Sequence, residues 1–253
     1  MLLILNSRGK SGMLELLISP RKAERAPWTM FLVGLLYASL AIFLVNLIFS
    51  SDAVLSKYSG ILVVTFTVMF SMPFVYYLIK NEEEKDMKYT GKLRILKEHS
   101  RALTSLLWLF LGFIVAFSFW YVILGSNQLL RAQVETFCMI NRPTNFNDCI
   151  MQYGIKETSK TTSFITAQEK FLAIFSNNVY VLIFTLIFSL IWGAGAIFVL
   201  AWNASVIAAA IGIFSKSNIA TIPIGVARYM IHGLPEIAAY FIGALAGGII
   251  SIA

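Results

Sequence analysis

Charged residues are what this sequence has least of. Only 13% of its 253 residues are Asp, Glu, Lys or Arg, whereas 58% are hydrophobic. A chain of this composition has too little polar surface to cover a water-soluble exterior, which excludes a soluble globular protein. A lipid bilayer supplies the apolar solvent that such a composition requires.

Residues that bind metals or act as nucleophile and base pairs are also scarce. The chain has two histidines, two cysteines and no HEXXH motif, so the usual set of three zinc ligands is missing. No serine or cysteine has an evident base that would activate it. We therefore predict no metal site, no cofactor and no enzymatic activity.

Long uncharged runs make up most of the sequence. A helix needs about 20 apolar residues to cross the hydrocarbon core, and three runs reach that length before residue 125, namely 27–49, 60–79 and 102–124. A fourth uncharged run covers residues 171–215, and a fifth follows Glu236. The sequence therefore predicts an all-α polytopic transmembrane helical bundle with five or six membrane segments.

The fourth run, of 45 residues, is too long for one perpendicular helix and short for two. We prefer one full span over about 178–201, followed by short or re-entrant helices between about 203 and 231. Non-helical backbone is tolerated at membrane depth where it is buried in protein or lines a water-filled cavity. In the alternative, two full spans meet at residues 192–195 and place Lys216 outside.

Lysine and arginine determine the predicted orientation, because cations resist translocation. The N-terminal arm, residues 1–26, is typical of an amphipathic interfacial helix and carries five cations. Seven more lie in loop 80–101, whereas the loop after the first span has only Lys57. We predict a multi-pass cell-membrane protein with a cytoplasmic N-terminus, a cytoplasmic loop 80–101 and an external loop 125–170. Cations at membrane boundaries indicate anionic lipid headgroups as partners, and no nucleic acid.

A run of acidic residues begins the cytoplasmic loop: Glu82, Glu83, Glu84 and Asp86. Carboxylates are the ligands that hard cations prefer. Neighbouring acids on a helix point in different directions, however, so a shared ion is disfavoured. We predict a solvated helical hairpin here.

Both cysteines, Cys138 and Cys149, fall in the predicted external loop. An oxidising compartment permits a disulfide there, and we predict one. Two free thiols are the alternative.

Polar residues interrupt the apolar last third of the chain at six positions: Asn177, Asn178, Asn203, Arg228, His232 and Glu236. Such residues are costly in lipid and usually face a bundle interior. Gly233 and Pro235 predict a helix break at residues 232–234, with the last helix beginning near Pro235. Three interpretations stay open: structural packing between His232 and Glu236, a substrate or ion site of the broken-helix transporter type, and a catalytic metal site, which lacks a third ligand.

Small residues that let helices approach each other in lipid recur in the same region. They are Gly193, Gly195, Gly243 and Gly247. These positions can serve packing among the chain's own helices or an interface between subunits. In the second case a homodimer is the simplest closed form.

Two motifs in the last third resemble a known family. The stretch AWNASVIAAAIG at residues 201–212 precedes RYMIHGLPEIAAYFIGALAGG at 228–248. This order resembles the stage II sporulation protein M family, in which an Asn-centred segment precedes a His-Gly-x-x-Glu element and a Gly/Ala-rich last helix. The Asn pair in FLAIFSNNVYVLIF is similar as well. The resemblance is strongest over residues 171–253, and SPRKAERAPW resembles archaeal members.

The resemblance implies a function that is not enzymatic. Sporulation members are membrane-embedded subunits of a complex that recruits and positions cell-wall hydrolases, and many relatives occur in organisms that never sporulate. We therefore expect an integral membrane scaffold or assembly subunit that organises partner proteins, as a homo-oligomer or with other membrane proteins. The alternative is a transporter or channel-like protein with a polar site around His232 and Glu236.

Overall fold

Regular structure throughout the described part of the chain is helical. The computed structural model describes residues 26–86, 92–125, 128–141, 145–153, 194–215 and 218–252, with short pieces between 172 and 187. The helices are α1 (Thr29–Phe49), α2 (Ser59–Asp86), α3 (Lys92–Leu124), α4 (Arg131–Asn141), α5 (Phe146–Gln152), α6 (Ala194–Ser215) and α7 (Ile222–Ile252). Two 3₁₀ turns, Leu55–Tyr58 and Ile219–Thr221, precede α2 and α7.

Five helical segments are long and apolar enough to cross a membrane. They are Thr29–Phe49, Leu55–Glu84, His99–Leu124, Ile197–Ser215 and Gly233–Ile250. The uncharged runs 60–79 and 102–124 fall within α2 and α3, and α1 covers run 27–49 except for its first two residues. A helix satisfies all its backbone hydrogen bonds internally, as lipid requires. The prediction of an all-α polytopic helical bundle is confirmed.

Helix α3 lies at the centre of the bundle. It packs most extensively against α1 and next against α6, and Phe110, Phe113 and Phe117 along it are fully buried. The contact with α1 is close because two glycines face each other: a Cβ on Gly112 would lie 3.1 Å from the Cα of Gly34. Neither glycine was in the predicted packing set. Close backbone approach of this kind stabilises helix pairs in lipid, where the hydrophobic drive is absent.

The course of residues 171–231 differs from the arrangement we preferred. Helix α6 is one helix of 22 residues, and Asn203 lies in its interior, so the span over 178–201 is wrong. After α6, the part of the chain where we expected short helices contains only the 3₁₀ turn Ile219–Thr221 and the first part of α7 among the described residues. The described stretch 178–183 is helical and runs parallel to α7, since Asn178 lies beside Tyr240 and Leu182 beside Gly243.

Contacts between helices establish the direction of α6 and α7. We call the end of the bundle that carries α4 and α5 the cap end, and the end that carries Lys80 and Arg101 the basic end. Gly212 of α6 packs against the ring of Tyr121 of α3, near the cap end. Gly248 of α7 packs against the side chain of Ile79 of α2, near the basic end. Helix α6 therefore runs toward the cap end, and α7 runs back.

The predicted placement of Lys216 falls outside the described residues. The neighbouring Ser215 and Asn218 lie at the cap end, where α6 ends and the turn before α7 begins.

Helices α4 and α5 form a small cap on the bundle. A disulfide joins Cys138 in α4 to Cys149 in α5, with Cα atoms 5.8 Å apart. The amide nitrogen of Gln133 donates to the carbonyl of Gly60 at 2.9 Å, and the hydroxyl of Ser59 donates to the carbonyl of Gln128 at 2.8 Å. These bonds attach the cap to the first turn of α2.

Replacing both cysteines by serine is expected to destabilise the cap. In the chain-entropy model, closure of a loop of about 12 residues contributes about 3 kcal/mol. Thermal unfolding of wild type with and without reductant measures this contribution. Reductant should lower the midpoint of wild type and leave the Cys138→Ser, Cys149→Ser variant unchanged. Equal midpoints for all four samples would contradict the expectation.

Candidate functional site

The structure separates two of the predicted polar residues from the rest. Asn203 lies in α6, and its amide nitrogen donates to the carbonyl of Val199 at 2.8 Å. Arg228 lies on the exposed side of α7, with its guanidinium carbon 5.5 Å from the ring centroid of Phe214. Asn177 lies outside the described residues. Asn203 therefore bonds within its own helix, and Arg228 lies over an aromatic ring of α6.

The predicted break in the last helix is not present. Helix α7 is continuous over 31 residues with Pro235 inside it. Proline removes one backbone donor, yet transmembrane helices tolerate such a loss better than soluble ones do. Pro235 faces outward, while Met230 and Ile237 on either side of it are buried. Packing on both sides therefore keeps the helix together.

The polar group that does form centres on Tyr240, which sequence reasoning missed. Its hydroxyl donates to Oε1 of Glu236 at 2.7 Å and lies 3.4 Å from Oδ1 of Asn178. Tyr240 is 2% exposed, whereas Glu236 and Asn178 are half-buried. The signal for Tyr240 was its spacing four residues after Glu236, which places both on neighbouring turns of one helix. The side chain of His232 lies outside the described residues.

A second acid of note lies at the basic end. Glu82 is fully buried, and its Oε2 lies 2.6 Å from Nδ1 of His99. The contact joins α2 to α3 at the hairpin that we predicted to be solvated, so that prediction is wrong for Glu82. The neighbouring Glu83 and Glu84 are half-buried. A buried carboxylate needs a partner, and His99 is 17 positions away in sequence, which hid the pair from local patterns.

The small residues of α6 and α7 face the chain's own helices. Gly195, Gly243 and Gly247 are buried, and a Cβ on Gly243 would meet Cδ1 of Leu182 at 3.0 Å. Gly193 lies outside the described residues. Packing within the chain is therefore what these glycines provide in the structure.

A small apolar cavity lies toward the basic end, away from Glu236. It is lined by Val75, Leu78, Ile79, Leu106, Ile197, Leu200 and Leu245. Among the described residues, no three His, Cys, Asp or Glu side chains are grouped so that they could hold a metal ion.

The elements described so far are the ones on which the resemblance depends: α6 with Asn203, and α7 with Glu236 and its glycines. A model of the family described as stage II sporulation protein M matches residues 30–253. The chain belongs to this family. No curated protein and no solved structure matches it significantly.

The match to the stage II sporulation protein M family covers nearly the whole chain. The match begins in α1 and includes the cap, whereas the motifs lie only in the last third. Together with the five apolar helices, it makes this protein a multi-pass integral membrane protein. The His-Gly-x-x-Glu element of this member lies on a continuous helix.

Proposed function

We propose that this protein is a non-enzymatic integral membrane scaffold that organises partner proteins through the outward side of α7. The observation that carries the proposal is a straight stripe on that helix, here called the outer stripe. It consists of Ile224, Arg228, Ile231, Pro235, Ala239, Ile242 and Ala246, all exposed except the half-buried Ala246. Spacings of four, three and four residues keep these positions on one helix face.

Two small residues distinguish the outer stripe from a surface made only for lipid. Ala239 and Ala246 lie two turns apart, with Ile242 between them 58% exposed. Small side chains allow the backbones of two transmembrane helices to approach closely. A homodimer is the simplest closed assembly, and another membrane protein can occupy the same face.

The hydrogen bond that Glu236 makes within its own helix supports a scaffold over the transporter alternative. Its carboxyl is bonded to Tyr240 within the same helix. A transporter needs a water-accessible path to that carboxyl, whereas the apolar cavity toward the basic end is lined by other residues.

Ala239→Trp is expected to release the partner that wild type retains. The indole prevents close approach along the outer stripe, so cross-linked dimer or co-purified membrane protein should fall by about tenfold, equivalent to about 1.4 kcal/mol of binding free energy. Leu47→Trp on α1, at a position 84% exposed, is the matched control and should leave the complex intact. An Ala239→Trp protein that retains its partner as well as the control would exclude this face.

The proposal includes an orientation in the cell membrane, with the basic end in the cytoplasm beside anionic headgroups. The disulfide at the cap end supports it, because such bonds persist in oxidising compartments. Lys80 and Arg101 at the opposite end are exposed, as the charge rule prefers.

Cysteine labelling in intact cells tests that orientation. A membrane-impermeant reagent should modify Asn218→Cys at the cap end and not Lys80→Cys at the basic end. Both positions are exposed, so access by the reagent differs only through sidedness. Labelling of Lys80→Cys alone would reverse the orientation.

A further inference from the structure

One oxygen of the Glu236 carboxyl has no hydrogen-bond donor in the described part of the chain. Its Oε1 accepts from the hydroxyl of Tyr240 at 2.7 Å. Its Oε2 makes no such bond to a described residue and is not fully buried. Glu236 lies within Gly233–Ile250, a segment long and apolar enough to cross a membrane. A carboxyl oxygen at the surface of such a segment needs a donor, because lipid supplies none.

Glu236 lies on one flank of the outer stripe. It follows Pro235 of that stripe, so it lies about 100° further around the helix. Tyr240 and Gly243 share this flank at spacings of four and three residues, and both contact the helical stretch 178–183. A helix that docks on the outer stripe beside this stretch would therefore pass close to the carboxyl.

A second copy of this chain offers no donor at that place. Copies in one membrane run parallel, so a symmetric pair on the outer stripe brings each flank of α7 against the opposite flank of the other copy. On the opposite flank, the exposed residues nearest to the level of Glu236 are Leu234 and Ala238, and neither side chain can donate a hydrogen bond. Arg228 belongs to the stripe itself, so the same pair would also bring two guanidinium groups together.

We propose that the outer stripe binds a transmembrane helix of a different protein, and that this helix carries a lysine or arginine that donates to Oε2 of Glu236. The identity of this partner rests on the proposed scaffold function, whose surface it completes. A long basic side chain suits a carboxyl on the flank, because its aliphatic stem covers the apolar stripe while its charged head reaches Glu236. Hydrogen bonds to charged groups are the stronger ones, so this residue distinguishes the partner from an apolar helix.

Synthetic transmembrane helices of leucine and alanine test the proposal with the full chain in lipid vesicles. One peptide has no polar residue in its span, and the others carry a single lysine at successive depths, one turn apart. Energy transfer between labelled peptide and labelled protein measures binding. One of the lysine peptides should bind wild type about tenfold more tightly than the apolar peptide. Glu236→Gln should reduce this preference to about threefold or less, since the bond to a neutral amide is weaker.

Matched variants make the result specific to Glu236. Glutamine still accepts from Tyr240, so Glu236→Gln is expected to fold. Glu83→Gln, at the half-buried acid of the basic end, is the control and should keep the preference for lysine. Equal binding of lysine and apolar peptides to wild type would overturn the inference, as would a preference for lysine that survives Glu236→Gln.

A change in the peptide keeps the test decisive if Glu236→Gln fails to fold. Peptides with glutamate in place of lysine should bind wild type no better than the apolar peptide. Tighter binding of the glutamate peptides would contradict a basic partner.

Two variants of Ala239 separate this inference from the scaffold proposal. Ala239→Trp should weaken binding of every peptide, because it blocks the outer stripe itself, and binding that it leaves unchanged would exclude the stripe and both proposals. Ala239→Cys supplies the one thiol outside the disulfide and should form no interchain disulfide on oxidation. Efficient formation of a disulfide dimer would assign the stripe to a second copy, which overturns the basic partner and leaves the scaffold proposal standing.

Discussion

Gly112→Leu is expected to prevent α1 and α3 from packing and to lower the yield of folded protein severely. A Cβ at this position would clash with the carbonyl oxygen of Phe31 and lie 2.9 Å from the backbone nitrogen of Leu35. Backbone atoms cannot move aside as side chains do, so the whole helix must shift. Overpacking typically costs about 1–3 kcal/mol, and a clash with backbone atoms falls at the upper end of this range. The monodisperse fraction after detergent extraction and the thermal midpoint measure the effect.

Alanine substitutions separate this clash from the intrinsic effect of glycine. Alanine favours a helix over glycine by about 1 kcal/mol, so Gly233→Ala should be neutral or stabilising. The nearest contact of its Cβ would be Cδ1 of Ile237 at 3.5 Å, an ordinary distance. Gly112→Ala should destabilise despite the same propensity. Equal midpoints for the two alanine variants would show that the helices do not meet at Gly112.

His99→Ala is expected to produce the second large loss of stability. It removes the imidazole that lies 2.6 Å from the fully buried carboxyl of Glu82. Loss of one member of a buried pair costs about 3 kcal/mol or more, because the other remains buried without that partner. Glu83→Gln, at the half-buried neighbour, should change stability by about 0.5 kcal/mol or less.

The double variant Glu82→Leu, His99→Leu distinguishes a pair from two separate contributions. Replacing both members by apolar residues should restore part of the loss, since the buried carboxyl is then absent. The measured coupling should exceed about 1 kcal/mol, as for contacting residues. Additive effects in the thermal midpoint would mean that Glu82 and His99 act independently.

Local sequence patterns predicted those features of the fold that have a local cause. The uncharged runs before residue 125 predicted α1, α2 and α3, because run length alone determines whether a helix can cross lipid. Pro235 shows the limit of the same approach. Its local effect favours a break, but burial of Met230 and Ile237 on either side keeps α7 continuous.

The polar group around Tyr240 also shows what local sequence patterns can predict and what they cannot. Sequence reasoning identified Glu236 and Asn178 as costly polar residues within the membrane, and it grouped them with Asn203 and Arg228. Spacing along the chain gave no means of knowing that Asn203 bonds its own helix. It also favoured His232 as a partner of Glu236, and that side chain lies outside the described residues. The structure places Tyr240 beside Glu236.

The sequence by itself determined that this protein is a helical membrane protein of the stage II sporulation protein M family. Composition and run length suffice for the membrane assignment, because a long apolar segment needs an apolar solvent whatever its neighbours are. The family follows from the motifs in the last third of the chain. Only the tertiary structure decided the direction of α6, the contact of Gly34 with Gly112, and the burial of Glu82 against His99. These features depend on the order and rotation of helices about their axes, which bring together residues far apart in sequence.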